Sequence, residues 1–165
     1  MGSESFIKGA AEVERKLRAL SPQLQRKALN QAMRKGMAPV KRAAVTRARA
    51  FDDPATAQSI AKEIVIRSNR RKGRQLGGFV VQVGVRGGAR AYVSNKGNRR
   101  AGRVGKSYEG GGNVFHWRFL EFGTAKMRAQ PFMRPALSEN VDAVTNITVS
   151  ELSAAIDKII AKGGF

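Results

Sequence analysis

The chain has no cysteine, which excludes a disulfide framework, thiolate metal ligation and a cysteine nucleophile together. It has a single histidine, His116, so no two-histidine metal site can be built, and a Ser-His-Asp arrangement would have no motif around any serine to support it. Acidic residues are also scarce, 12 against 31 Lys and Arg. They are scattered, and neither an all-carboxylate cation site nor an acid and base pair such as Glu109 and Glu121 is placed together by spacing. Long apolar runs are missing: no stretch approaches the roughly 20 residues of a membrane span, and the N-terminus shows neither a basic leader nor a signal-length apolar run. These absences predict no enzyme, no catalytic residues, no cofactor, no metal, no membrane contact, and a protein made and kept in a cytoplasm. The sequon Asn146-Ile147-Thr148 carries no meaning in that setting.

What is present is positive charge. The formal net charge is +19 over 165 residues, while the 42% hydrophobic and 26% charged shares are ordinary for a globular protein. Such a length predicts one domain, residues 1–165, with a real core. Along the chain the excess is +9 over residues 1–50, +8 over 51–100, +4 over 101–134 and −2 over 135–165. A surface this basic repels itself and is tolerated best beside a polyanion or an acidic partner.

Phe6, Ala10, Val13, Leu17 and Leu20 fall at helical spacing and predict a helix over 5–20. Ser21-Pro22 stops it and starts the next, with Ser as N-cap and Pro at the first position. The second helix is expected to run from Pro22 toward Ala50, interrupted at Gly36 and Pro39. Leu29, Met33, Met37, Val40 and Ala44 form its apolar face, and Lys27, Arg34, Lys41, Lys35, Arg42 and Arg49 a basic ridge roughly opposite. A strand follows near Glu63 to Ser68, and a stronger one where Phe79, Val81, Val83 and Val85 alternate, with "NRRKGRQLGG" between them as a basic hairpin loop. Residues 86–113 hold eight Gly and seven Lys or Arg against one Glu. They read as a long loop able to bury little, apart from a short strand at Ala91 to Ser94. Leu137, Val141, Val144, Thr148, Leu152, Ile156 and Ile159 predict one long amphipathic helix over about 135–162, burying its stripe within its own chain and covering the sheet. The expected fold is α+β: a small antiparallel sheet packed by N-terminal helices and the long C-terminal helix, with a long Gly/Arg-rich loop.

"GRVGKS" at 102–107 ends like a phosphate-binding loop, but the required first glycine is Arg100, and "SYEGGGN" follows where a helix should open. A nucleotide site is rejected. Residues 115–137 hold the only Trp, the only His, four of eight Phe and two of five Pro. As a strand, Phe115, Trp117 and Phe119 share a face; as a helix, Phe115, Phe119 and Phe122 do, and periodicity leaves the choice open. Gly123-Thr124 ends the element, Pro131 holds Gln130 extended, and Pro135 suits a helix start. Core packing explains some of these aromatics. The composition, with Arg118, Arg128 and Arg134, is also that of a protein interface centre.

The run "FLEFGTAKMRAQPFMRPAL" resembles the signature of the small neck, or tail-completion, proteins of long-tailed, siphovirus-type bacteriophages. There an aromatic element ending in Glu-Phe-Gly-Thr, here Glu121-Phe122-Gly123-Thr124, leads to Pro-Phe-x-x-Pro-Ala, here Pro131 to Ala136, and to a final helix. The resemblance is specific over about twenty residues and architectural elsewhere, and the Gly/Arg loop is a departure from it. It implies a virion component assembled in the host cytoplasm, a ring subunit of six copies at the head-proximal end of the tail. Its partners would be neighbouring connector and tail-terminator or tail-tube proteins and the genomic double-stranded DNA in the channel. On that reading Trp117, Phe119, Glu121, Phe122, Gly123, Thr124, Pro131, Phe132, Arg134 and Pro135 border the subunit interface. Arg34, Lys41, Arg86, Arg90, Lys96, Arg99, Arg100, Arg103 and Lys106 face DNA. The alternative is a stand-alone, sequence-nonspecific nucleic-acid-binding protein; single-strand binders of that kind interleave aromatics with Lys and Arg on a strand platform, whereas the basic residues here mostly lie elsewhere.

Overall fold

Ser21-Pro22 and Gly36 cut the N-terminal helical region into three pieces. The computed structural model describes residues 7–52, 58–86, 91–106 and 114–162. Helix α1 spans Ile7–Arg18 and α2 spans Pro22–Gly36 with proline in its first turn, where its missing N–H costs nothing. Helix α3 follows over Ala38–Ala48 and ends in a 3-10 turn, Arg49–Phe51. Next come α4 (Ile60–Glu63), β1 (Ile64–Ser68), α5 (Arg70–Gln75), β2 (Val81–Val85), α6 (Lys96–Arg100), α7 (Trp117–Phe122), α8 (Met133–Ser138) and α9 (Val141–Ile160). The fold is α+β. Its sheet is the pair β1 and β2, antiparallel in register, with Asn69 N–H donating to Val80 O at 2.8 Å at one end and Arg86 N–H to Glu63 O at 3.0 Å at the other.

The chain divides into two compact units, residues Met1–Val40, Ile66–Val83 and Leu137–Phe165 in the first, and Lys41–Val65 with Gly84–Ala136 in the second. In the first unit α9 packs on α2 and α1. Leu20, Ala28, Ala155 and Ile156 form the buried centre, flanked by Val13, Leu17, Leu24, Leu152, Ile159 and Ile160. The predicted apolar face of α2 is displaced by one position. Ala28, Ala32 and Gly36 are buried, whereas Leu29, Met33 and Met37 are only half-buried. The reason is close approach: small residues at spacings of four let α9 settle near the α2 backbone, and counting large apolar side chains misses them. The acidic character of the last helix finds its partners here, Glu151 on Lys35 at 2.6 Å and Asp157 on Lys16 at 3.4 Å. Exposed pairs of this kind add little stability and mainly set register.

Gly36 lies directly against α9. A Cβ there would lie 1.9 Å from the Thr148 hydroxyl, 3.1 Å from its Cβ and 3.0 Å from the Val144 carbonyl oxygen. In an open helix Gly→Ala gains up to about 1 kcal/mol. Here a rotamer change at Thr148 would sacrifice its 2.6 Å bond to Val144 O and still leave the backbone contact. Overpacking wins, and Gly36→Ala lowers stability by about 1–3 kcal/mol in urea melts; a neutral or stabilising result would show that α9 slides freely on α2.

The C-terminal helix is two helices rather than one. Helix α8 starts at Met133, with Pro135 in its first turn, and α9 starts only at Val141 after a turn at Glu139-Asn140. The polar cluster Ser138-Glu139-Asn140 ends the first piece. Leu137 and Val141, both placed in the predicted stripe, are about half exposed, and the buried stripe runs from Val144 onward. Within the expected 86–113 loop, the described residues carry α6, N-capped by the Asn95 side chain accepting from Asn98 N–H at 2.8 Å. Ala91 makes only an isolated bridge, so the strand expected at Ala91 to Ser94 is absent. The loop expected between the strands likewise contains α5, capped by Asn69, whose side chain accepts from Lys72 N–H at 3.0 Å.

The core of the second unit comprises Ala44, Ala48, Ile60, Ile64, Val114, Phe132 and Ala136, with two buried carboxylates, Glu63 and Glu121. The Phe51 and Phe132 rings meet at 6.1 Å, tilted by 53°. Asp52 ties the 3-10 turn to the start of α4, accepting from Ser59 Oγ at 2.6 Å and from Ile60 N–H at 2.7 Å.

Candidate functional site

The ambiguous aromatic run is a helix. Helix α7 is short, and Gly123 stops it at φ +75°, where a Cβ would sit 2.9 Å from both Ala129 N and Met127 O. Glycine is required there twice over, by conformation and by space. Thr124 and Met127 then pair across a tight turn, and Gln130 N–H reaches back to Leu120 O at 2.7 Å. This returns the chain beneath α7 and brings residues 131–134 to Glu121.

Glu121 is the hub of that return. Its Oε2 accepts the backbone N–H of Phe132 at 2.8 Å and of Met133 at 2.9 Å. Its Oε1 accepts the Arg134 N–H at 3.0 Å and the Arg134 Nε–H at 3.2 Å. The Arg134 guanidinium also donates to the Glu121 carbonyl oxygen at 2.6 Å. The carboxylate therefore satisfies three donors at the start of α8 that no turn of that helix can satisfy. Burial pushes its pKa up, but the N–H groups of Met133, Phe132 and Arg134 and the Arg134 side chain more than offset this and hold it below the ordinary value.

This clamp sorts the interface residues expected from sequence into an inner and an outer set. Glu121 and Phe132 are buried, at 1% and 0% exposure, and Trp117, Gly123 and Pro135 are half-buried. Thr124, Pro131 and Arg134 are exposed. The outer face belongs to Phe115, Phe119 and Phe122, exposed at 58%, 45% and 64%. Phe115 and Phe119 meet edge to face at 6.1 Å, and the Arg134 guanidinium stands 5.4 Å over the Phe122 ring. The helix and the turn before it thus place three Phe outward while keeping a carboxylate inside, the reverse of an ordinary amphipathic helix. Phe115 belongs with this face; its signal was the i, i+4, i+7 spacing of the helical alternative.

The cations expected to face DNA are spread over both units. Arg34 lies in the first and is exposed; Lys41 and Arg86, both half-buried, lie in the second with Lys96, Arg99, Arg100, Arg103 and Lys106, all exposed. Arg90 lies outside the described residues. Residues 91–106 are knitted together: Arg103 N–H donates to Asn98 O at 2.9 Å, Tyr92 N–H to Lys106 O at 3.0 Å, and Arg103 stacks 5.7 Å over Tyr92. His116 precedes α7 beside Phe115. Among the described residues, no group of three or more His, Asp or Glu could hold a metal ion, and no helix is long and apolar enough to cross a membrane.

No curated protein and no solved structure matches the chain significantly. A family described as "Bacteriophage HK97-gp10, putative tail-component" matches residues 11–123, more than half of the chain and ending at the glycine that stops α7. The chain belongs to this HK97-gp10-like family of phage tail components.

Proposed function

We propose that the protein is a structural, non-enzymatic subunit of the ring that completes the tail at its head-proximal end, in the neck of a long-tailed phage. One observation carries this reading: a helix locked from within by Glu121, with the turn before it, presents Phe119, Phe122 and Phe115 to solvent. A rigid, arginine-flanked aromatic face suits the centre of a protein interface, where aromatics and Arg are enriched. In this reading six copies close a ring, each presenting one face to a different face of its neighbour with a rotation that closes the cycle. The 117–135 segment borders the interface and the whole chain acts as one domain within the ring. Connector and tail-terminator or tail-tube proteins lie above and below, and genomic DNA passes through the channel.

Gradient-purified virions are expected to carry the chain in fixed, low copy number, with antibody label at the head–tail junction. Absence from virions would overturn the reading and leave the stand-alone nucleic-acid binder. The exposed cations of residues 96–106 supply the channel contact, so Arg99→Gln, Arg100→Gln and Arg103→Gln together should leave particles assembled but slow genome ejection. Unchanged ejection kinetics would remove that role from the segment.

A further inference from the structure

The first unit contains a basic cleft that the ring reading does not use. It measures about 800 Å³ and opens between α2 and the helix-containing insert that joins β1 to β2. Arg26 and Lys27 line it from α2, Arg70 and Arg74 from α5, and Asn30 and Ser68 stand between them. All four cations are exposed, and among the described residues no Asp or Glu lines the cleft. The Ser68 hydroxyl is hydrogen-bonded to the Asn30 side chain, joining the two walls. The insert is a built element, with the cap at Asn69 and a second tie from the Asn69 amide to Gln82 Oε1 at 3.3 Å.

We infer that this cleft binds the phosphate backbone of nucleic acid. Four cations on the two walls place positive charge on either side of a ligand, as a chain of phosphates requires, and the Asn30 NH₂, oriented by the Ser68 hydroxyl that donates to its Oδ1, offers hydrogen bonds to phosphate oxygens. Its apolar lining, Phe79 and Val80, is slight for a protein partner, whose interface core would need a larger apolar centre. Nothing in the lining is arranged to read base edges, so the binding is sequence-indifferent and electrostatic. The cleft lies within one unit of one chain, so the inference does not depend on ring formation.

The test is fluorescence anisotropy of the full-length protein with a labelled duplex of about 20 base pairs over a salt series. The cleft variant Arg26→Gln, Arg70→Gln, Arg74→Gln is compared with Lys62→Gln, Lys158→Gln, Lys162→Gln, which removes the same charge from exposed positions elsewhere. The cleft variant is expected to raise Kd about 30-fold at low salt and to flatten the log Kd against log salt slope by about 3. The control should change Kd by less than about 3-fold, both proteins keeping the wild-type melting temperature. Equal losses in the two variants, or none in the cleft variant, would overturn the site. Polyglutamate bound as tightly as the duplex, with the same loss in the cleft variant, would overturn the nucleic-acid assignment.

Discussion

Glu121→Gln should lower stability by about 2–4 kcal/mol, because at a buried carboxylate site it leaves two donors without an acceptor. The carboxylate takes four hydrogen bonds from three consecutive residues, on two oxygens. An amide of the same shape keeps one acceptor oxygen and turns its NH₂ toward either the Phe132 and Met133 N–H pair or the Arg134 donors. Two donors lose their partner in either orientation, and an unmade buried hydrogen bond costs more than a made one contributes. Urea melts of both proteins supply the comparison, and a loss below about 1 kcal/mol would mean that water replaces the carboxylate.

The same clamp gives acid sensitivity of known sign. The folded pKa of Glu121 lies below its ordinary value, so the folded state holds fewer protons here than the unfolded chain around the ordinary carboxylate pKa of about 4.3. Its stabilisation is complete above that pH and is lost as pH falls through the depressed folded value. The stability gap between wild type and Glu121→Gln should therefore be constant from neutrality down to about pH 5 and shrink below about pH 4. A gap independent of pH would assign the loss to packing instead.

Local signals were legible in the sequence and distant ones were not. Ser21-Pro22, the Gly36 interruption and both strands follow from rules that act over a few residues, and the structure places them within a residue or two. The α2 face is misplaced because Ala28, Ala32 and Gly36 carry little hydrophobic signal, their role being to be small, Gly36 against Thr148 and Ala28 in the cluster with Ala155 and Ile156. Helix α5 was hidden in a run of Arg, Lys and Gly with poor periodicity, held instead by a single Asn69 cap. Glu121 was placed among interface residues by its motif, but its capping role spans 11 to 13 residues, beyond any helical or strand period. The outward face was half visible: Phe115, Phe119 and Phe122 share a side only once the segment is a helix, and neither Gly123 nor Pro131 decides that.

Phe119→Ser with Phe122→Ser should abolish assembly while leaving the monomer folded. Phe122 is mostly exposed and Phe119 nearly half exposed, so their removal costs the fold mainly the cation–π contact of Arg134 with Phe122 and the edge-to-face contact of Phe119 with Phe115, together about 1–2 kcal/mol at such sites. At an interface centre each aromatic is worth about 2 kcal/mol or more, roughly a 30-fold loss per side chain, repeated at every contact of a closed ring. Sedimentation of the purified variant should show a folded species that fails to form rings, and the double-Ser allele should give tails that do not join heads in a complementation assay. The contrast with Glu121→Gln separates the two halves of the motif: that variant fails by unfolding, with its melting midpoint well lowered, whereas the double-Ser variant lowers its midpoint by less and fails in association. Normal rings and normal titre from the double-Ser variant would move the subunit interface away from α7. The aromatic face would then have to meet something other than a second copy of this chain.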